Sequence, residues 1–173
     1  MRFETFGPFP IELNEYGNLP RRMRSFWNDI EKGDEGLSHA RGCYVFGIKS
    51  SGGPSIFPWY IGRTHLQGFR KECFGSHQRS LYLEAINRYD RAVPYLYIAA
   101  QITMQDRFYQ GKSGASIAFL ETYLISLGLQ VNKNLLNKQS TKMYREVIMP
   151  GILNSSLGNP GRPAMELRQT FRF

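Results

Sequence analysis

Thiols are scarce throughout this chain, and acid is scarce in most of it. Only Cys43 and Cys73 are present, with twenty-nine residues between them, so neither a disulfide framework nor a CxxC metal site is suggested and two reduced thiols are expected. No apolar run approaches the length of a bilayer crossing. The first thirty residues carry Glu4, Pro10, Glu12 and Glu15 where a signal peptide needs an unbroken apolar stretch. The expectation is a soluble, cytoplasmic protein with no membrane partner. No internal repeat is present, and there is no repeat architecture to consider.

Charge is unevenly shared. Residues 1 to 40 hold five basic and seven acidic side chains, whereas residues 41 to 173 hold seventeen basic and seven acidic, a net of +10. A field of that sign attracts polyanions, nucleic acid first and anionic membrane surfaces second; a solvated basic surface is the plain alternative.

With 173 residues, 42% of them hydrophobic, the chain has material for one domain with a real core and terminal extensions. Residues 1 to 20 are rich in Pro, Gly and Asn and read as an extended arm or short hairpin. Met23, Phe26, Trp27 and Ile30 then recur at helical spacing before Gly33. The runs CYVFGIK and IFPWYIG, joined by a Gly-rich turn, suggest an antiparallel hairpin. Between Leu66 and Arg91 a short helix and a longer one are expected, the latter over SLYLEAINRYD, and VPYLYIAAQIT is a third strand. SIAFLETYLISLGL predicts a helix with Ile117, Leu120, Leu124 and Leu127 on its inner stripe and Gly128 as its stop. A last short helix follows over TKMYREVI, then a polar, basic tail. Three parts are expected: an arm and helix (1–40), a central domain (41–149) and a C-terminal tail (150–173).

Two tripeptides carry the functional signal: GCY at Gly42, Cys43 and Tyr44, and YIG at Tyr60, Ile61 and Gly62. Arg70 follows eight positions after Gly62, Glu121 lies in a later helical segment, and Asn137 ends the run LLN. In this order the residues resemble the signature of the GIY-YIG nuclease superfamily, over a little more than half of the chain. The resemblance implies an α/β domain with a small, mainly antiparallel three-stranded sheet flanked by helices. It implies a metal-dependent endonuclease acting on DNA, double-stranded first, with one Mg²⁺ or Mn²⁺ per site held by Glu121 and Arg70 on the phosphate. Asn137 would hold loop backbone or a tyrosine in place. The products would carry 5′ phosphate and 3′ hydroxyl. One such site cuts one strand, so a homodimer would be needed to cut both.

The chemistry is consistent with that grouping. Phosphodiester hydrolysis needs a water stripped of its proton and charge stabilisation on the phosphorane. Tyr44 and Tyr60 on neighbouring strands could present their hydroxyls from one face, and the preferred assignment makes Tyr44 the base and Tyr60 its orienter, although the residues alone do not separate them. A phenol has a pKa of about 10, so nearby positive charge must favour the phenolate. Arg63, Arg70, Lys71 and a bound cation are the sources available. Glu121 is flanked on both sides by apolar helical sequence, where a carboxylate must be paired or metal-bound. The rival reading is that it neutralises an arginine of the first helix of the domain without chemistry.

Departures from the family are visible too. Family members commonly carry histidine four residues past the arginine; here that position is Phe74, leaving His77 and His65 as candidates for base or phosphate contact. Cys43 replaces the central isoleucine and should fill core space. GKS at 111 to 113 lacks the earlier glycine of a phosphate loop, which leaves Lys112 as a loop cation for nucleic acid. NPGRP at 159 to 163 lacks the first arginine of an AT-hook, so Arg162 is expected to touch backbone phosphate from an extended tail. A non-catalytic DNA-binding or regulatory module, or a nuclease acting on RNA, stand as alternatives.

Overall fold

A computed structural model describes residues 1–51, 53–138, 141, 146, 149 and 159–171. The chain divides into two compact units, Met1–Leu136 and Asn137–Phe173.

The first unit is built on a four-stranded antiparallel sheet. Its strands are β1 (Arg2–Pro10), β2 (Gly42–Ser50), β3 (Phe57–Arg63) and β4 (Ala92–Ile102), in the spatial order β1-β4-β2-β3. The expected three strands are present, with β2 central between β3 and β4. The fourth is a correction to the strand count: the segment expected as an extended arm or short hairpin pairs with β4 from Arg2↔Ile102 to Pro10↔Tyr95. An eleven-residue β4 paired on one side alone would leave a long edge of unpaired backbone, and the arm covers it. A register shift between Phe6 and Phe9, spanning the Gly7–Pro8 pair, breaks the period-two pattern that would have announced a strand.

Helices cover both faces. On one lie α1 (Arg24–Gly33) and α3 (Ser76–Ile86), reached through the four-residue α2 (Phe69–Glu72). Trp27 and Ile30 of α1 share the main core with Tyr82 and Ala85 of α3 and with Phe46, Leu96 and Ile98 of the sheet. On the other face α4 (Ala115–Val131) buries Ile125 against Ile61 and Leu135, with Val45 packed alongside.

Two further expectations for this unit change. The helix read over residues 80 to 90 begins four residues earlier and ends at Ile86. Gly128 does not stop α4, which continues to Val131; the glycine lies inside the helix where a Cβ would stand 2.9 Å from Ile61 Cδ1. The helix turns Ile117, Ile125 and Gly128 inward, while Leu127, expected on the inner stripe, faces outward with Phe119, Tyr123 and Val131. In a sequence apolar all round, periodicity does not single out the buried stripe.

In the second unit the described tail is helical: α5 (Arg162–Phe171) replaces the extended tail that was expected. Pro163 sits at its start, where a missing N–H is tolerated. The short helix expected over TKMYREVI falls outside the described residues, apart from Thr141 and Glu146.

Candidate functional site

β2 and β3 set Tyr44 opposite Gly62 and Phe46 opposite Tyr60, and strand alternation puts all four on one face of the sheet. Both tripeptide glycines are required by close approach. A Cβ on Gly62 would overlap the phenol of Tyr44, and one on Gly42 would overlap the backbone carbonyl of Ala99 in β4. The two tyrosine rings lie 6.2 Å apart between centroids, tilted by 42°. Tyr82, from α3, stacks on Phe46 at 3.9 Å and meets Tyr60 edge-on at 5.9 Å. Phe69 of α2 closes the far side of Tyr44.

A carboxamide sits among these phenols. The Gln78 side chain acts on both Tyr44 and Tyr60 to lower their pKa, and Tyr44 acts on Tyr60 in the same sense. Gln78 Oε1 rests against Gly75, within 2.7 Å of where a Cβ on that glycine would be. The two phenols differ in access: Tyr44 is 1% exposed, whereas Tyr60 is half-buried. Burial raises the Tyr44 phenol well above its usual range, with Cys73, Tyr60 and Glu72 adding to it and the Gln78 hydrogen bond opposing. Tyr60 is also raised by burial and then by the charge of Glu121, while the hydrogen bonds from Gln78 and Tyr44 pull it back. The Tyr82 hydroxyl is buried with no hydrogen-bond partner among the described residues.

Cys43 and Arg63 are paired across the same two strands, on the face opposite to Tyr44. Cys43 is buried, its Sγ–H donating to Ile117 O at 3.3 Å, and burial followed by the charge of Glu121 pushes its thiol up to about 12. Both cysteines are free. Arg63 forms an ion pair with Glu121, Nε to Oε2 at 3.1 Å, and the Glu121 side chain is 24% exposed. The partner of Glu121 is therefore a strand arginine and not one from α2. Burial raises the Glu121 carboxyl, against the pull of Arg63 and His65. Through its effect on Tyr60, Glu121 is electrostatically joined to the tyrosine pair from α4.

Among the described residues, no three His, Cys, Asp or Glu side chains come together as a metal-binding group. Glu121 by itself supplies a single carboxylate. One carboxylate with waters and substrate phosphate suffices for Mg²⁺.

The other expected residues are distributed around this centre. Arg70 and Lys71 are exposed on α2 and line a separate basic cleft. His65 and His77 are exposed, and His65 N–H donates to Glu72 Oε1 at 3.3 Å. Phe74 stands edge-on to Phe26, Trp27 and Tyr82 as part of the core. Lys112 is exposed, with its carbonyl accepting from the Tyr109 hydroxyl. Arg162, in the second unit, heads α5 and pairs with Glu166 at 2.9 Å. Asn137 also falls in the second unit, where it is buried and its carbonyl accepts from the Thr141 hydroxyl at 3.0 Å.

Three contributors were not anticipated. Gln78 lies eight residues past Arg70 on a different helix, and nothing in its neighbourhood marks it. Thr64 latches the end of the hairpin: its Oγ1 accepts from Gly42 N–H at 3.0 Å, and the Ser113 hydroxyl donates to its carbonyl at 2.6 Å. The GKS tripeptide thus serves through its serine, in anchoring the loop after β4. Arg41 donates to three carbonyls from three segments, His39, Leu66 and Gly111.

No family model, no curated protein and no solved structure matches the chain.

Proposed function

We propose that the chain is a metal-dependent endonuclease of the GIY-YIG type, hydrolysing phosphodiester bonds in DNA. The observation that carries this reading is the convergence of the two tripeptide tyrosines on one sheet face, their ring centroids 6.2 Å apart.

In this reading Tyr60, not the Tyr44 preferred from sequence, takes the proton from the attacking water. Tyr44 is too enclosed to meet a substrate, whereas Tyr60 is half open. Hydrogen bonds from Tyr44 and Gln78 favour the Tyr60 phenolate. Tyr44 then acts as orienter and Arg70 contacts the phosphate. Glu121 would hold Mg²⁺ or Mn²⁺ with its carboxylate. A divalent ion bound there supplies positive charge for the phosphorane and offsets the anionic field that Glu121 imposes on Tyr60.

The test is cleavage of plasmid, single-stranded DNA and RNA by purified protein with Mg²⁺ or Mn²⁺, beside Glu121→Gln. Metal-dependent cutting that disappears in the variant supports the reading, and equal trace activity in both would assign the activity to a contaminant. The RNA lane reports a ribonuclease directly.

A second reading is favoured by one observation. The Arg63–Glu121 ion pair satisfies the carboxylate without any metal, as a binding module with no catalysis would need. Salt-sensitive DNA binding with no cleavage under any metal would select it.

A further inference from the structure

An open cleft of about 320 Å³ lies between the short turn Leu37–His39, the loop after β3 and α2. That is at the small end of the roughly 300–1,000 Å³ typical of ligand clefts. Its wall carries Arg41, Arg70, Lys71 and His39, with the amides of Gln67 and Gln110, and no carboxylate. Three cations facing one space repel each other unless an anion occupies it.

Arg41 is the fixed member of the set. Its guanidinium donates to Gly111 O at 2.9 Å, His39 O at 3.2 Å and Leu66 O at 2.9 Å. These acceptors are neutral, so they hold the group in place and leave its charge uncompensated. Arg70 and Lys71 are exposed, and neither is ion-paired with a carboxylate among the described residues. A fixed cation flanked by two exposed ones suits a phosphate carried on a chain that enters and leaves. The openness of the cleft and its two amides, able to meet sugar or base edges, favour a polynucleotide over a free anion.

We propose that this cleft seats a backbone phosphate of nucleic acid next to the one addressed by Arg70, with Arg41 and Lys71 as its partners. The proposal rests on the nucleic-acid part of the reading above and not on catalysis.

The experiment is fluorescence anisotropy with a short fluorescein-labelled single-stranded DNA, in a Glu121→Gln background that removes cleavage. Lys71→Glu is expected to weaken binding about tenfold or more near 100 mM salt, and to lower the slope of log K against log salt by about 0.7 to 1. Lys71→Gln should fall between. Lys32→Glu, which makes the same change of net charge at an exposed site of α1 outside the cleft, should stay within about twofold. Equal weakening by Lys71→Glu and Lys32→Glu, or none by either, overturns the proposal. So does inorganic phosphate binding, by calorimetry, as tightly as the oligonucleotide, because that marks a free-anion site. Cleavage insensitive to Lys71→Glu in the otherwise wild-type chain sinks the cleft and leaves the nuclease; Lys71-dependent binding with no cleavage under any metal does the reverse.

Discussion

Replacing Gly62 by alanine puts one methyl group where the Tyr44 phenol already is. The backbone of Gly62 lies outside the left-handed region, so the substitution carries no conformational strain, and the cost is steric. Overpacking of a buried site costs about 1–3 kcal/mol, offset by about 0.4–1 kcal/mol from a less flexible unfolded chain. The net is a destabilisation of about 1–2 kcal/mol, or a melting temperature lower by roughly 2–8 °C for a chain of this size. Two other glycines calibrate it. Gly42→Ala meets the Ala99 carbonyl, a backbone atom that cannot swing aside, and should cost about 3 kcal/mol or more. Gly33→Ala, at the end of α1 with nothing within 4 Å, should be neutral or stabilise by about 0.5 kcal/mol. Thermal unfolding by circular dichroism gives the order directly. The sharper measure is a double-mutant cycle: in a Tyr44→Val background the ring is gone, and Gly62→Ala should cost about 1 kcal/mol less than in the wild type. If it costs the same in both backgrounds, or if Gly62→Ala melts with Gly33→Ala, the contact between glycine and phenol does not govern this position.

Other outcomes follow from the same geometry. Tyr60→Phe should lower the cleavage rate by about a hundredfold or more and Tyr44→Phe by less, measured as initial rates on plasmid; the opposite order returns the base to Tyr44. Because burial raises Tyr60, the rate should climb with pH through the neutral and mildly alkaline range, and a plateau by neutrality would exclude a phenol as base. Burial also raises Glu121 in the folded state, so its contribution to stability is full below the ordinary carboxylate range and is lost as pH rises through the raised value. Glu121→Gln should accordingly compare better with the wild type at neutral than at acid pH, in denaturant melts at both. Thr64→Val leaves the Gly42 N–H without its side-chain acceptor and should destabilise by about 1–3 kcal/mol in the same melts.

What the sequence disclosed followed from local pattern. The hairpin showed because both strands carry β-favouring runs on either side of a Gly-rich turn, and their register could place Tyr44 and Tyr60 on one face. β1 stayed hidden because its burial does not alternate and its partner is some ninety residues away. The inner stripe of α4 was misread at Leu127 for lack of polar residues to mark the outer face. Within the candidate site, the residues that could be found were those whose type states a chemistry, such as Glu121 in apolar surroundings. Gln78, Thr64 and Arg41 act through hydrogen bonds to groups distant in the chain, and amides, hydroxyls and surface arginines are common enough that only the fold distinguishes these three.

Loops ordinarily change length one at a time, which is how folds acquire new specificities. The segments at His39, Leu66 and Gly111 lack that independence, because one guanidinium pegs all three. An insertion that withdraws any of these carbonyls strands a charged donor and loosens the other two. Tolerance should be found further along, near Met104, which is 99% exposed. A designer wishing to retarget the surface would therefore substitute side chains around the peg, and reserve added length for that tip.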